Sequence, residues 1–155
     1  MTKFSDTDPG FPVTGSNLRV ARLSRLIYEA ALERVYGGLA GEGFPEIRPA
    51  HSAIFRNINP EGSRASDLAQ RAGITKQSVA YLIEGLEKEG FVETLPDPED
   101  GRARLVRLTR RGRAALSALN RLSDAMDRDL ESALPAGRME MLRQDLAALV
   151  AHLRA

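Results

Sequence analysis

Apolar residues recur at helical spacing over most of the chain. Leu23, Leu26, Ile27, Ala30, Ala31 and Val35 share one broad face, which predicts a helix over 18–36. Gly37, Gly38, Gly41 and Gly43, with Pro45, are expected to break it. Ile54, Phe55 and Ile58 mark a short second helix over 49–58, with Pro49 suited to a first helical turn. Leu68, Ala69, Ala72 and Ile74, then Val79, Leu82, Ile83 and Leu86, predict two more short helices. Between them, Gly73 can take the left-handed conformation that a Cβ would penalise. Thr75 can cap the second helix of this pair, and Gly90 can end it. The period then changes to alternation. Residues 91–95 and 105–109 read as strands, the latter with Val106 and Leu108 set against Arg107 and Thr109. The prolines, acids and glycine of 96–104 form the turn between them. A long helix over 110–134 follows, striped by Leu116, Leu119, Leu122, Met126 and Leu130. Pro135 divides it from a last helix, where Met139, Leu142, Leu146, Leu149 and Leu153 recur at alternating steps of three and four.

A helix pair on a tight turn, followed at once by a hairpin, is a winged helix-turn-helix. The expected fold is mainly α with a small β-hairpin. Helices at the N- and C-terminal ends would serve dimerisation. The expected organisation is an arm over 1–17, a DNA-binding unit over 49–109, and a helical dimerisation region over 18–48 and 110–155. The last apolar stripe is long for a lone helix on so small a domain, and a second chain would cover it. Packing on Leu23, Ile27 and Val35 of the same chain is the alternative.

The helix after Thr75 begins with Lys76, Gln77 and Ser78, and Tyr81 follows one turn along. Such groups can bond to phosphates and base edges from the major groove. Gln77 suits adenine N6 and N7, Ser78 serves several bases, and Lys76 suits a phosphate. Tyr81 can meet a base edge, a thymine methyl or a phosphate, or it can be a partly buried core aromatic. Arg102 and Arg104, at the hairpin tip, can enter a narrow minor groove where the potential is most negative. Asp100 can orient the Arg102 guanidinium through a hydrogen-bonded pair.

Charge sharpens this picture locally. The formal net charge of the 155 residues is only +1, yet 101–113 holds six arginines and no acid. Phosphates respond to such a nearby strip more than to the total. Cysteine is absent, so there is no disulfide framework and no thiolate metal site. No apolar run is long enough to span a bilayer, and residues 1–17 lack a signal-peptide core. A cytoplasmic protein without membrane contact is expected.

Several of these motifs carry a family resemblance. Leu68-Ala69, Gly73-Ile74-Thr75-Lys76-Gln77-Ser78-Val79, Leu82-Ile83, Leu86-Glu87 and Gly90-Phe91-Val92 resemble the MarR family of winged-helix transcriptional regulators. Asp100-Gly-Arg102 and Val106-Arg-Leu108-Thr109 complete that pattern. The resemblance implies a homodimer on double-stranded DNA, at a pseudo-palindromic operator, usually as a repressor. It implies that Thr75, Lys76, Gln77, Ser78 and Tyr81 lie on the reading helix. Arg102 would be the wing's minor-groove residue, supported by Asp100. Ser66 falls where the family often touches a phosphate, or is a plain residue of a first helical turn. Leu23 and Ile27, with Met139, Leu142, Leu146, Leu149 and Leu153, would face a second subunit. Many relatives release DNA on binding a small, often aromatic and anionic, ligand. Tyr28, His51, Phe55 and Arg56 are the candidate lining residues here, with a helix-start or interface role as the other reading of His51. No cofactor is implied. A zinc-sensing subtype is disfavoured by having only two histidines, and the cysteine-based peroxide sensor is excluded.

Other functions fit less well. The chain has no Gly-x-Gly-x-x-Gly loop, P-loop, His-Glu-x-x-His or Gly-x-Ser-x-Gly elbow, which argues against an enzyme. An architectural DNA binder of low sequence specificity, without ligand response, is the main alternative. Gln77 and Ser78 favour sequence-specific reading.

Overall fold

The computed structural model describes residues 19–98, 100 and 102–155. The arm expected over 1–17 lies outside them. Helix α1 spans Val20–Gly38 and packs along the long helix α5, Arg110–Ser132. It runs through Gly37 and Gly38 instead of breaking there. Val35, Tyr36 and Leu39 are buried at this end, and such packing overrides local propensity. The second predicted helix is shorter than 49–58. A 3-10 turn, Pro49–His51, leads into α2, Ser52–Phe55. Asn57 follows it and donates its side-chain amide to the Ala53 carbonyl at 2.9 Å.

Strand β1, Ser63–Arg64, comes next and was not evident as a strand from the sequence. It leads directly into α3, Ala65–Ala72, and α4, Lys76–Lys88. Strands β2, Val92–Pro96, and β3, Arg104–Leu108, form the hairpin. The hairpin is part of a three-stranded antiparallel sheet in the order β1-β3-β2. Ser63 pairs with Val106 and Arg64 with Leu105, while Val92 faces Leu108 across the hairpin. The wing is thereby stitched to the residues that open α3. Helix α6, Arg138–Arg154, completes the chain and makes its main contacts with α5.

The core sits where the helix pair, the sheet and the start of α5 meet. Phe91, Leu39, Ile54, Leu68, Leu86 and Val79 are its largest fully buried side chains. Each contributes about 1.5–3 kcal/mol by leaving water. Phe44 packs edge-on to Phe91 with ring centroids 6.1 Å apart. Nothing in α6 is buried: Leu142, Leu146, Leu149 and Val150 all remain at least 38% exposed. No helix among the described residues is long and apolar enough to cross a membrane.

Candidate nucleic-acid interface

The turn between α3 and α4 is built by backbone geometry. Gly73 sits at φ 67°, in the left-handed region, and ends α3. The amide of Ile74 closes the turn on the Ala69 carbonyl at 3.2 Å. Thr75 then caps α4. Its Oγ1 accepts the Ser78 amide at 3.1 Å, and the two hydroxyls are 2.8 Å apart. Val79, Ile83 and Leu86 bury one side of α4, which fixes its roll. The other side presents Lys76, Gln77, Ser78 and Tyr81 to solvent. Tyr81 is 77% exposed, so it is no core aromatic. Lys76, Gln77 and Tyr81 bond to no other described residue in this chain, whereas Ser78 is engaged in the cap. Ser66 lies on the first turn of α3, its hydroxyl 3.2 Å from Asp67 Oδ1. Ser66 and Lys76 line one shallow depression at the helix-turn-helix corner.

The hairpin loop is closed by its own backbone. The Asp97 amide donates to the Ala103 carbonyl at 3.0 Å, and the Ala103 amide donates to the Asp100 carbonyl at 2.8 Å. Asp100 does not hold the Arg102 guanidinium, as the sequence suggested. Its Oδ1 accepts the Arg102 backbone amide at 3.1 Å instead. Arg104 opens β3 instead of standing at the tip, and its Nη2 donates to the Thr94 carbonyl at 3.3 Å.

The basic strip is largely spent on internal contacts. Arg107 pairs with Glu93 at 3.0 Å, and Arg111 pairs with Glu46 at 2.8 Å. Arg111 also lies 4.3 Å from the Phe91 ring centroid and donates to the Glu89 carbonyl at the end of α4. Arg113 donates to the Leu108 carbonyl at 2.8 Å. The guanidinium groups of Arg102 and Arg110 bond to no other described residue. The sequence set Arg102 and Arg104 apart by their place near the turn, but not which of the six are paired, because partners distant in the chain cannot be read from spacing.

A cavity of about 520 Å³ opens between α1, α2 and α5. Tyr28, Phe55 and Arg56 line it, together with Tyr36, Asn120 and Asp127. Arg56 Nη1 donates to the Tyr28 hydroxyl at 3.2 Å. Burial pushes the Tyr36 hydroxyl far above the ordinary tyrosine range, against the opposing charge of Arg56. Sequence reasoning did not reach the polar part of the α5 wall, Asn120, Ser123 and Asp127, which stand between the apolar Leu116, Leu119 and Met126 of the predicted stripe.

His51 is not among the lining residues. It closes the 3-10 turn instead, its Nδ1 accepting the Arg48 amide at 3.1 Å. Burial, and then the charge of Arg48, lower its pKa. Below about pH 6.5 the unfolded chain therefore binds the proton that the folded chain resists, so this residue costs stability as pH falls. Thermal melts at about pH 5 and about pH 7.5 are expected to differ less for His51→Gln than for the wild type. An identical difference would show that His51 does not contribute.

These elements define a winged helix-turn-helix with an outward polar helix and a supported wing. Residues 47–103 match the model of the MarR family. It is similar to the transcriptional activatory protein BadR of Rhodopseudomonas palustris, with 36% identity over 61 residues, 39% of this chain and 35% of BadR. It is also similar to the transcriptional repressor YetL of Bacillus subtilis, with 37% identity over 77 residues, 50% of this chain and 46% of YetL. The matches thus span a third to a half of those relatives. The repressor CouR, solved on a 23-mer DNA duplex, superposes with a TM-score of 0.70 over 94% of this chain and 99% of its own, at 21% identity. That likeness concerns the fold.

Proposed function

We propose that the chain is a sequence-specific, DNA-binding transcriptional regulator, acting as a homodimeric repressor on a pseudo-palindromic operator. The observation that carries this reading is the outward face of α4, where Lys76, Gln77 and Tyr81 stand exposed and bond to no other described residue, together with the exposed Arg102 of the wing. Residues 49–109 form the DNA-binding unit, and Ser66 and Lys76 grip a phosphate from their shared depression. The flanking helices form the dimerisation region, with α6 as the main seam. Two-fold symmetry then sets two reading helices about 34–36 Å apart, one turn of DNA. That CouR binds a DNA duplex through the same fold supports this use of the surface. The cavity beside Tyr28, Phe55 and Arg56 takes a small aromatic anion, which shifts the two reading units and weakens DNA binding.

The test is readout by single side chains. Gln77→Ala is expected to cost ~1–3 kcal/mol on a preferred duplex and to relax preference at one base pair per half-site. An equal loss on every sequence would make Gln77 a backbone contact and favour low-specificity binding.

A further inference from the structure

Besides Glu87 of α4, which accepts the Thr94 amide of β2 at 2.9 Å, an arginine that lies on neither the reading helix nor the wing tip ties the wing to the reading unit. Arg64 ends β1 and occupies the N-cap position of α3, so its backbone belongs to the helix-turn-helix. Its guanidinium reaches across to the wing loop. Nε donates to Asp97 Oδ2 at 2.8 Å, and Nη2 lies 2.6 Å from the same oxygen. Nη2 is also 3.8 Å from Asp100 Oδ2. Asp97 is only 6% exposed and sits at the closure of the loop, where its amide meets Ala103. Asp100 in turn holds the Arg102 amide. A chain of contacts thus runs from the start of α3, through two wing carboxylates, to the backbone of Arg102.

The Glu87–Thr94 bond holds strand β2 against α4, whereas the Arg64 bridge reaches the wing loop. Strand β1 contributes only two residues to the sheet, and both pair with β3 below the loop. A guanidinium with two donors on one carboxylate oxygen holds direction as well as distance, which an ammonium does not. Ordering the loop before DNA arrives removes that cost from binding.

We propose that Arg64 is a positioning residue for DNA recognition: its bridge to Asp97 and Asp100 sets where Arg102 stands relative to α4. This rests on the DNA-binding reading above. Arg64 acts through the wing, not by touching the duplex.

The test uses the full chain and a duplex that the wild type selects from a randomised library. The flanks where the wing falls are made either A·T-rich or G·C-rich. Binding is measured for the wild type, Arg64→Gln, Arg64→Lys, Arg102→Ala and the double variant Arg64→Gln/Arg102→Ala. Arg102→Ala and Arg64→Gln are each expected to weaken binding about tenfold. The double variant is expected to bind no more weakly than Arg102→Ala alone, because both changes remove one contact. Both single variants should lose the preference for A·T-rich flanks and keep the preference at the bases that Gln77 reads. A merely structural role for Arg64 would not move the flank preference selectively. Arg64→Lys, which keeps the charge without the fork, should fall between wild type and Arg64→Gln, and decides the matter if Arg64→Gln does not fold. If Arg102→Ala is weakened while the Arg64 variants bind like wild type, the positioning role is wrong and the wing reading stands. Additive losses in the double variant also overturn the role. If Arg102→Ala itself binds like wild type, the wing reading fails and the role of Arg64 fails with it.

Discussion

Gly112→Ala is expected to lose about 3 kcal/mol or more of folding stability, and to melt lower by about 10 °C at roughly 2–4 °C per kcal/mol. Gly112 is buried in the first turn of α5, and a Cβ there would stand 1.9 Å from the Phe91 carbonyl oxygen. That oxygen cannot yield cheaply. It accepts the Thr109 amide at 3.0 Å, and the Thr109 hydroxyl bonds to the Gly90 carbonyl at 2.6 Å. Thr109 also caps α5 by accepting the Gly112 amide at 3.1 Å. The whole join between wing, reading unit and α5 therefore depends on close backbone approach. Gly85→Ala provides the contrast. It lies within α4 with nothing within 4 Å of its ideal Cβ, so alanine there should stabilise by about 0.5–1 kcal/mol. Thermal melts of the two variants check both signs. A Gly112→Ala protein that melts with the wild type would refute this packing.

Leu146→Asp is expected to produce monomers and to weaken binding to a two-half-site duplex by about 10²–10⁴-fold. Leu142, Leu146 and Leu149 lie on an α6 that buries none of its residues within one chain. Leaving such a stripe in water costs about 25 cal/mol for each Å² that a partner would cover. A charge placed in the covered seam would be unpaired, and the cost falls on association. The variant should keep its melting behaviour at low concentration, since the core about Phe91 is untouched. Sedimentation of wild type and variant gives the state of assembly, and titration gives the DNA effect. A wild type that is monomeric at micromolar concentration, or a monomeric variant with full DNA affinity, would contradict the dimer.

The parts of the fold that short-range rules govern were legible in the sequence. Gly73 and Thr75 announced their turn and cap because each satisfies a local backbone need, and the structure places them so. The stripes of α4 and α5 were legible through their period. Strand β1 was not, because two residues carry no alternation and Ser63–Arg64 become a strand only by meeting β3. The bridge from Arg64 to Asp97 spans 33 positions, and nothing in the spacing of either residue signals the other. The same holds for Arg107 and Arg111, whose acid partners lie on other segments. The sequence places His51 among the lining residues, with a helix-start role as the other reading, and its ring nitrogen accepts the Arg48 amide in the turn that leads into α2.

The central claim is that two copies of this chain read an inverted repeat through α4 and the wing. It is tested most directly by titrating the full chain, at near-physiological salt, into an inverted-repeat duplex selected from a random library and into a scrambled duplex of equal composition. The account predicts two chains per selected duplex and binding at least about 10³-fold tighter than to the scrambled one. Equal affinity for both duplexes would contradict it.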